Sequence, residues 1–141
     1  MQTNQLDAHT FVGPQISIAD MAEIAKLGVR TIVIARPEGE EHGQPTVSDI
    51  CAAAGAHGIN VHQIPVTPGN ITAEDVQAFD VAMGDNPHPV LAYCRSGARA
   101  TTLWALSAAS RGQSVEVIID TAGKAGYDLR ALAPRLVTSA A

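Results

Sequence analysis

The sequence predicts an α/β domain with a central, mostly parallel sheet of four to five strands that is flanked by helices. Two observations lead to this prediction. Short runs of apolar and β-branched residues alternate along the chain with longer segments of helical spacing, a pattern typical of a parallel sheet covered by helices. The 141 residues also suit one core, without an internal repeat or a linker. We therefore expect residues 1–141 to form a single domain.

The first predicted elements are a strand, a helix and a second strand. The run "TFVG" at 10–13 is a short opening strand. Ser17 is the N-cap of a helix that ends at Gly28, because the apolar residues between them recur close to helical spacing. Residues 29–35, "VRTIVIA", form a β-branched run that indicates a buried strand. The polar loop at 36–45 is longer than usual, which suggests a function.

A second helix and a third strand follow that loop. The helix is capped at Thr46 or Ser48 and ends at Gly58. The run "INVHQIPV" at 59–66 indicates another buried strand, and "TPGN" turns the chain after it.

The last part of the chain contains one more predicted strand among helices. Thr72 caps a third helix, with Asp75 three residues later in a loose form of the capping box. The "NPHP" segment ends that helix, and "PVLAY" at 89–93 is the next strand. A fourth helix covers 98–112, and two short helices, which we expect to be purely structural, cover the chain from Ser114 onward.

Composition and charge exclude several classes of function. The net charge of −5 argues against nucleic acid as a partner. No run approaches the ~18–20 continuous apolar residues of a membrane span. The polar N-terminus lacks the regions of a signal peptide, so we expect a cytoplasmic protein whose two cysteines stay reduced. The five histidines are scattered and show no metal-ligand spacing, so we expect neither a metal nor another cofactor.

The stretch "PVLAYCRSGARATT" carries the candidate chemistry, since Cys94 stands between a strand and a helix. Ligand sites of such sheets form where strands end and helices begin. The backbone N–H groups of Arg95, Ser96, Gly97 and Ala98 should turn inward there, and the helix adds its positive end. Arg95 and Arg99 add full charges. Gly97 would allow the tight curl through a positive φ, and the hydroxyl of Thr101 could donate to the sulfur.

These charges favour an anion, and the nearest one is the Cys94 thiolate itself. We therefore expect Cys94 to be a nucleophile at neutral pH, with Arg99 and the loop amides binding an oxyanion such as phosphate, sulfate or thiosulfate. The alternative is that Cys94 is only a small buried residue at a strand end. We assign that packing role to Cys51, which lies in an Ala-rich helix.

The "CRSGAR" motif resembles the loops of two groups of enzymes. Cysteine phosphatases have five residues between Cys and Arg, and rhodanese-type sulfurtransferases have a shorter loop. Together with "GPQIS", "GVRTIVIARPEGEEHGQP", "HQIPV" and "VLAYCRSGARATTLWAL", the motif resembles the phosphatase-like domain of beta-lactamase hydrolase-like proteins, over most of residues 11–111. This family is labelled both phosphatase-like and sulfur transferase. The resemblance implies a dual-specificity-phosphatase-like fold with the cysteine loop at the carboxyl edge of its sheet.

The same resemblance implies that Arg36 lies near the cysteine loop. There it would either help to bind the anion or form a salt bridge within its own loop, with Glu38, Glu40 or Glu41.

Three departures from the phosphatase pattern favour sulfur transfer. Arg99 follows Cys94 after four residues, Tyr93 stands where phosphatases usually have His, and "HQIPVTPGN" lacks the carboxylic acid that would protonate a leaving oxygen. Thr101, in contrast, matches the hydroxyl that many phosphatases place after their arginine.

The main functional hypothesis is thus a cytoplasmic sulfurtransferase, in which Cys94 takes sulfane sulfur from thiosulfate or a persulfide as a Cys94 persulfide. Such transfer needs no general acid, because sulfite and acidic thiols leave as anions. The first alternative is a cysteine-dependent phosphatase, a hydrolase that works through a phosphocysteine at Cys94. The second is a non-enzymatic module that binds anions or senses oxidation.

Overall fold

The computed structural model of the protein describes residues 1–140 and shows a five-stranded sheet in the order β1-β2-β5-β3-β4. The β1 strand pairs antiparallel with β2, and the other neighbours are parallel. The predicted mostly parallel α/β fold with flanking helices is therefore confirmed. The strands are β1 Asn4–Asp7, β2 Thr10–Gly13, β3 Thr31–Ile34, β4 Asn60–Gln63 and β5 Val90–Tyr93.

The helices begin and end close to the positions that their caps predict. Thr46 accepts from the N–H of Asp49 at the start of α2, and Thr72 forms a complete capping box with Asp75 at the start of α3. Short 3₁₀ turns, Ile18–Asp20 and Arg130–Leu132, precede the first and last helices. The helices are α1 Met21–Lys26, α2 Val47–Gly55, α3 Ala73–Asp85, α4 Ala98–Ser110, α5 Val115–Lys124 and α6 Ala133–Ala140.

Side-chain alternation along the sheet divides the core into two layers. Leu91 and Tyr93 of β5 pack on one face, with α1 and α2. Ala92 and Cys94 point to the opposite face, where α3, α4, α5 and α6 pack. The central helix of this second layer is α4, of which ten residues are buried. Cys94 thus ends the middle strand of the sheet, directly before its most buried helix.

Three predictions made from the sequence need correction. β1 was not predicted, because its residues are polar and only Leu6 of the strand is buried. The strand predicted as buried within 59–66 is the exposed edge strand β4. Its apolar ends, Ile59 and Ile64, are buried just outside the strand. Cys51 is exposed on α2 and does not serve the packing role that we assigned to it.

Candidate active site

Cys94 lies at the carboxyl end of β5, and its side chain is buried in the layer below α4. The N–H of Gly97 donates to the Cys94 Sγ at 3.1 Å. The chain from Cys94 to Gly97 therefore curls around the sulfur and directs a backbone donor at it. Together with the start of α4, this arrangement stabilises negative charge at the sulfur or at a group bound to it.

Gly97 allows this curl, as the sequence predicts. Its φ is 96°, in the left-handed region that glycine adopts without steric cost. A Cβ at this position would lie 2.0 Å from the hydroxyl oxygen of Tyr127, so the loop has no room for a side chain. The Tyr127 hydroxyl donates to the carbonyl of Ser96 at 3.1 Å, and the N–H of Gln15 donates to the carbonyl of Arg95 at 3.2 Å. Two segments distant in sequence thus fix the loop.

Arg99 is buried beside the sulfur on the first turn of α4. Its Nη1 and Nη2 donate to the two carboxylate oxygens of Glu40 at 2.9 and 2.7 Å, and Nη1 also donates to the carbonyl of Val66 at 2.7 Å. The hydrogen bonds to Glu40 raise the pKa of Arg99, and the nearby Cys94 sulfur adds to the rise. Within residues 1–140, Nε of Arg99 makes no hydrogen bond to an oxygen of the protein.

Glu40 is shared by Arg99 and Arg36. Its Oε1 accepts from Arg36 Nε at 3.0 Å and lies 2.9 Å from Arg36 Nη2. Hydrogen bonds from Arg99 lower the pKa of Glu40 the most, and Arg36 adds to this effect. Arg36 itself is fully buried, and its Nη1 donates to Gln15 at 2.8 Å. Of the two roles considered for Arg36, the structure shows the salt bridge within its own loop, through a carboxylate that also holds Arg99.

The side chains of the remaining loop residues are exposed. The Arg95 side chain is 69% exposed, and its Nε lies 3.0 Å from Glu41 Oε2. Ser96 and Ala98 are exposed, and the N–H of Ala98 lies 3.3 Å from the Ser96 hydroxyl. Arg95 therefore contributes its charge at the rim of the site.

The hydroxyl of Thr101 does not reach the sulfur, contrary to our expectation. It donates to the carbonyl of Gly97 at 2.8 Å, one helical turn earlier. The backbone N–H of Thr101 donates to the same carbonyl at 2.9 Å. Thr101 thus holds the Gly97 carbonyl in place. Its effect on the sulfur is indirect, through the position of Gly97, whose N–H donates to Cys94 Sγ.

A cavity of about 650 Å³ adjoins the outer side of the cysteine loop. Three arginines line it, and they are the only charged residues among its lining in the described part of the chain. The apolar part of the lining comes from Ile71 and Leu132. Pro68, Gly69, Arg95, Ser96, Ala98, Arg99, Thr102 and Arg135 complete the wall.

Sequence reasoning missed two residues of this region, Tyr127 and Arg135. Both lie in the C-terminal segment from Ser114 onward, which we expected to be purely structural. No local motif marks either residue, since only the packing of α5 and α6 against α4 brings them to the cysteine loop.

The described residues show neither a metal site nor a membrane span. In the part of the chain from 1 to 140, no three His, Cys, Asp or Glu side chains gather as a metal ion would require. None of the helices there has the length and apolar character needed to cross a bilayer.

Comparison with known proteins identifies close relatives. The family model for the phosphatase-like domain of beta-lactamase hydrolase-like protein matches residues 3–111. The beta-lactamase hydrolase-like protein of Agrobacterium fabrum is 37% identical over 130 residues, which cover 92% of this chain and 30% of the relative. The chain thus spans about a third of the length of the curated relatives that it matches.

Solved structures share the fold. A candidate phosphatase from Neisseria meningitidis Z2491 is 38% identical, with a TM-score of 0.89 over 99% of both chains. The catalytic core of a PP-IP phosphatase from S. cerevisiae, solved with citrate, has a TM-score of 0.73 over 98% of this chain and 84% of its own. At 17% identity, that likeness shows the fold alone.

Proposed function

The chain belongs to the family of phosphatase-like domains of beta-lactamase hydrolase-like proteins, and we propose that it is a cysteine-dependent phosphatase acting on a small anionic substrate. The observation that carries the proposal is the Gly97 N–H at 3.1 Å from the Cys94 sulfur, at the N-terminus of α4. The family model and the similarity to a candidate phosphatase support hydrolysis over sulfur transfer. We infer that residues 1–141 carry this activity as one domain.

In this mechanism the Cys94 thiolate attacks the phosphorus of the substrate. A bond forms between sulfur and phosphorus, and the bond to the leaving oxygen breaks with its electron pair on that oxygen. Water then attacks the phosphocysteine, the sulfur leaves again as thiolate, and phosphate is released. The reaction needs donors for the phosphoryl oxygens during both steps.

The loop and Arg99 supply those donors. The Gly97 N–H and the start of α4 stabilise the phosphoryl oxygens, and Arg99 adds a full positive charge through Nε. Glu40 and Arg36 are positioning residues, because they hold the far edge of the Arg99 guanidinium by paired hydrogen bonds. Thr101 positions the peptide that carries Gly97.

The test is hydrolysis of p-nitrophenyl phosphate by the wild-type protein and by Cys94→Ser. We expect activity in the first and none in the second, and acid quenching should trap a phosphoryl group on Cys94 that intact-mass spectrometry detects. Cys51→Ser is the matched control, since Cys51 is exposed on α2 and should leave the rate unchanged. Wild-type protein that hydrolyses no aryl phosphate, or Cys94→Ser that keeps its rate, would refute the proposal.

Sulfur transfer is a second candidate, and the four-residue spacing between Cys94 and Arg99 favours it. In that reaction the thiolate attacks the outer sulfur of thiosulfate, the S–S bond breaks, and sulfite leaves with the electron pair. Incubation with thiosulfate should then add the mass of one sulfur to Cys94. That product without phosphatase activity would replace the first proposal. Reversible oxidation of Cys94 without turnover of either substrate would instead support the redox-sensing module.

A further inference from the structure

The carboxylates nearest to the cysteine loop are both engaged by arginines. Glu40 accepts from Arg99 and Arg36, and these bonds lower the pKa of Glu40. Glu41 has one oxygen 3.0 Å from Arg95 Nε and the other 3.6 Å from Arg36 Nη2, and its side chain is nearly half exposed. Both oxygens of Glu41 therefore face guanidinium groups, as those of Glu40 do. Both carboxylates are thus engaged by arginines, and neither is free to protonate a leaving oxygen.

The phenol of Tyr127, which contacts the loop, is also a poor proton donor. Tyr127 already donates its proton to the carbonyl of Ser96. Burial raises the pKa of Tyr127, and the nearby Cys94 sulfur raises it further. A substrate for this site must therefore carry a leaving group that departs without being protonated.

The cavity beside the loop suits a leaving group that is itself an anion. Arg95 and Arg99 of the loop region line it, together with Arg135 of α6. Arg135 donates to the carbonyl of Ile71 and makes no salt bridge to a carboxylate within residues 1–140. Its charge is therefore available to a ligand. The positive charge of the cavity lining is a local feature, since the chain as a whole is negatively charged, with a net charge of −5.

We propose, building on the phosphatase activity proposed above, that the substrate is an organic phosphoanhydride whose leaving group is a phosphate held in the arginine-lined cavity. The Cys94 sulfur forms a bond to the terminal phosphorus, and the bridging P–O bond breaks. Its electron pair stays on the departing phosphate, whose new charge lies beside Arg95 and Arg135. The organic body of the leaving group lies against Ile71 and Leu132.

The basicity of the leaving group separates phosphoanhydrides from alkyl phosphate esters as substrates. A phosphate monoester loses its second proton with a pKa of about 6, so it departs as a stable dianion at neutral pH. An alkoxide is about as strong a base as hydroxide, and the conjugate acid of hydroxide, water, has a pKa of about 15.7. Without an acid in the site, an alkyl phosphate ester must expel that strong base unaided.

ADP and AMP provide a matched pair of probes. The terminal phosphoryl of ADP is joined by an anhydride, and the phosphoryl of AMP by an alkyl ester, on the same nucleoside. We expect kcat/KM for ADP to exceed that for AMP by at least 100-fold, and p-nitrophenyl phosphate to be hydrolysed as well. Hydrolysis of AMP and ADP at similar rates would overturn the inference, as would hydrolysis of p-nitrophenyl phosphate without any of ADP.

Variants of Arg135 test the cavity. Arg135→Ala should lower kcat/KM for ADP about tenfold more than for p-nitrophenyl phosphate, and Arg135→Lys should restore most of the loss because it keeps the charge. Arg130→Ala is the control, since Arg130 is exposed and pairs with Asp128 outside the cavity. Equal losses for both substrates in Arg135→Ala would refute the cavity as the leaving-group site. If the wild-type protein hydrolyses none of ADP, AMP and p-nitrophenyl phosphate, the proposed phosphatase activity itself is refuted.

Discussion

Substitution of Glu40 by glutamine keeps the size of the side chain and removes the negative charge that two buried arginines share. Arg36 is fully buried and Arg99 is 8% exposed, so neither can recover its hydration when the carboxylate is lost. A glutamine also places an NH₂ group, which is a donor, against one of the two guanidinium groups. We expect Glu40→Gln both to destabilise the fold and to release Arg99 from its position.

The magnitude follows from the contacts of Glu40. Three nitrogen atoms lie within 3.0 Å of Oε1, and a fourth lies 2.9 Å from Oε2. Breaking a buried ion pair from one side costs about 3–5 kcal/mol. The Glu40 side chain is 20% exposed, and water can replace part of the lost interaction. We therefore expect a loss of about 2–4 kcal/mol in the free energy of unfolding.

Urea denaturation followed by the fluorescence of Trp104, the single tryptophan, measures this loss. Glu41→Gln is the matched control, because Glu41 lies in the same loop, pairs with the exposed Arg95 at 3.0 Å, and lies 3.6 Å from Arg36 without a hydrogen bond to it. An exposed pair is worth about 1 kcal/mol or less, so the control should stay close to wild type. If Glu40→Gln costs no more than Glu41→Gln, the idea that Glu40 holds the two buried arginines is wrong.

The pH dependence of the same measurement adds an independent check. The arginines lower the pKa of Glu40 in the folded protein below its ordinary value of 4.5. The folded state thus binds this proton less readily than the unfolded chain, so the contribution of Glu40 is complete above pH 4.5 and is lost as the pH falls through the folded value. The difference in stability between wild type and Glu40→Gln should be largest at neutral pH and should narrow below 4.5.

Three further substitutions test the surroundings of the loop. Gly97→Ala should cost at least about 1–2 kcal/mol for the left-handed φ alone, with a further loss from contact with Tyr127. Tyr127→Phe removes the bond to Ser96 at a cost of about 1 kcal/mol, and in that background the Gly97→Ala penalty, measured by urea denaturation, should shrink. Burial raises the pKa of Tyr93 to about 12 from 10, so wild type should lose stability between these pH values, and Tyr93→Phe should lack that loss. Equal urea midpoints for wild type and Tyr93→Phe across that range would contradict the burial argument.

The local features of the cysteine loop could be predicted because they depend on residues close together in the chain. A short apolar strand, a glycine three residues after the cysteine and a helix start define the loop within a few positions. The left-handed Gly97 and the caps at Thr46 and Thr72 follow from the same short-range chemistry. The edge strands are harder to predict, since β1 and β4 are largely polar or exposed and lack the apolar run that marks a buried strand.

By itself the sequence determined the alternating architecture, the place of Cys94 at the end of a strand and the positive charge around it. Only the tertiary structure decided which groups meet at that loop. Glu40 reaches Arg99 across 59 residues, and Tyr127 reaches Ser96 across 31. The physical reason is the difference in sequence separation between the interacting groups. Backbone propensities and caps act within a turn, but a carboxylate or hydroxyl finds its partner only after the sheet and helices have brought distant segments together.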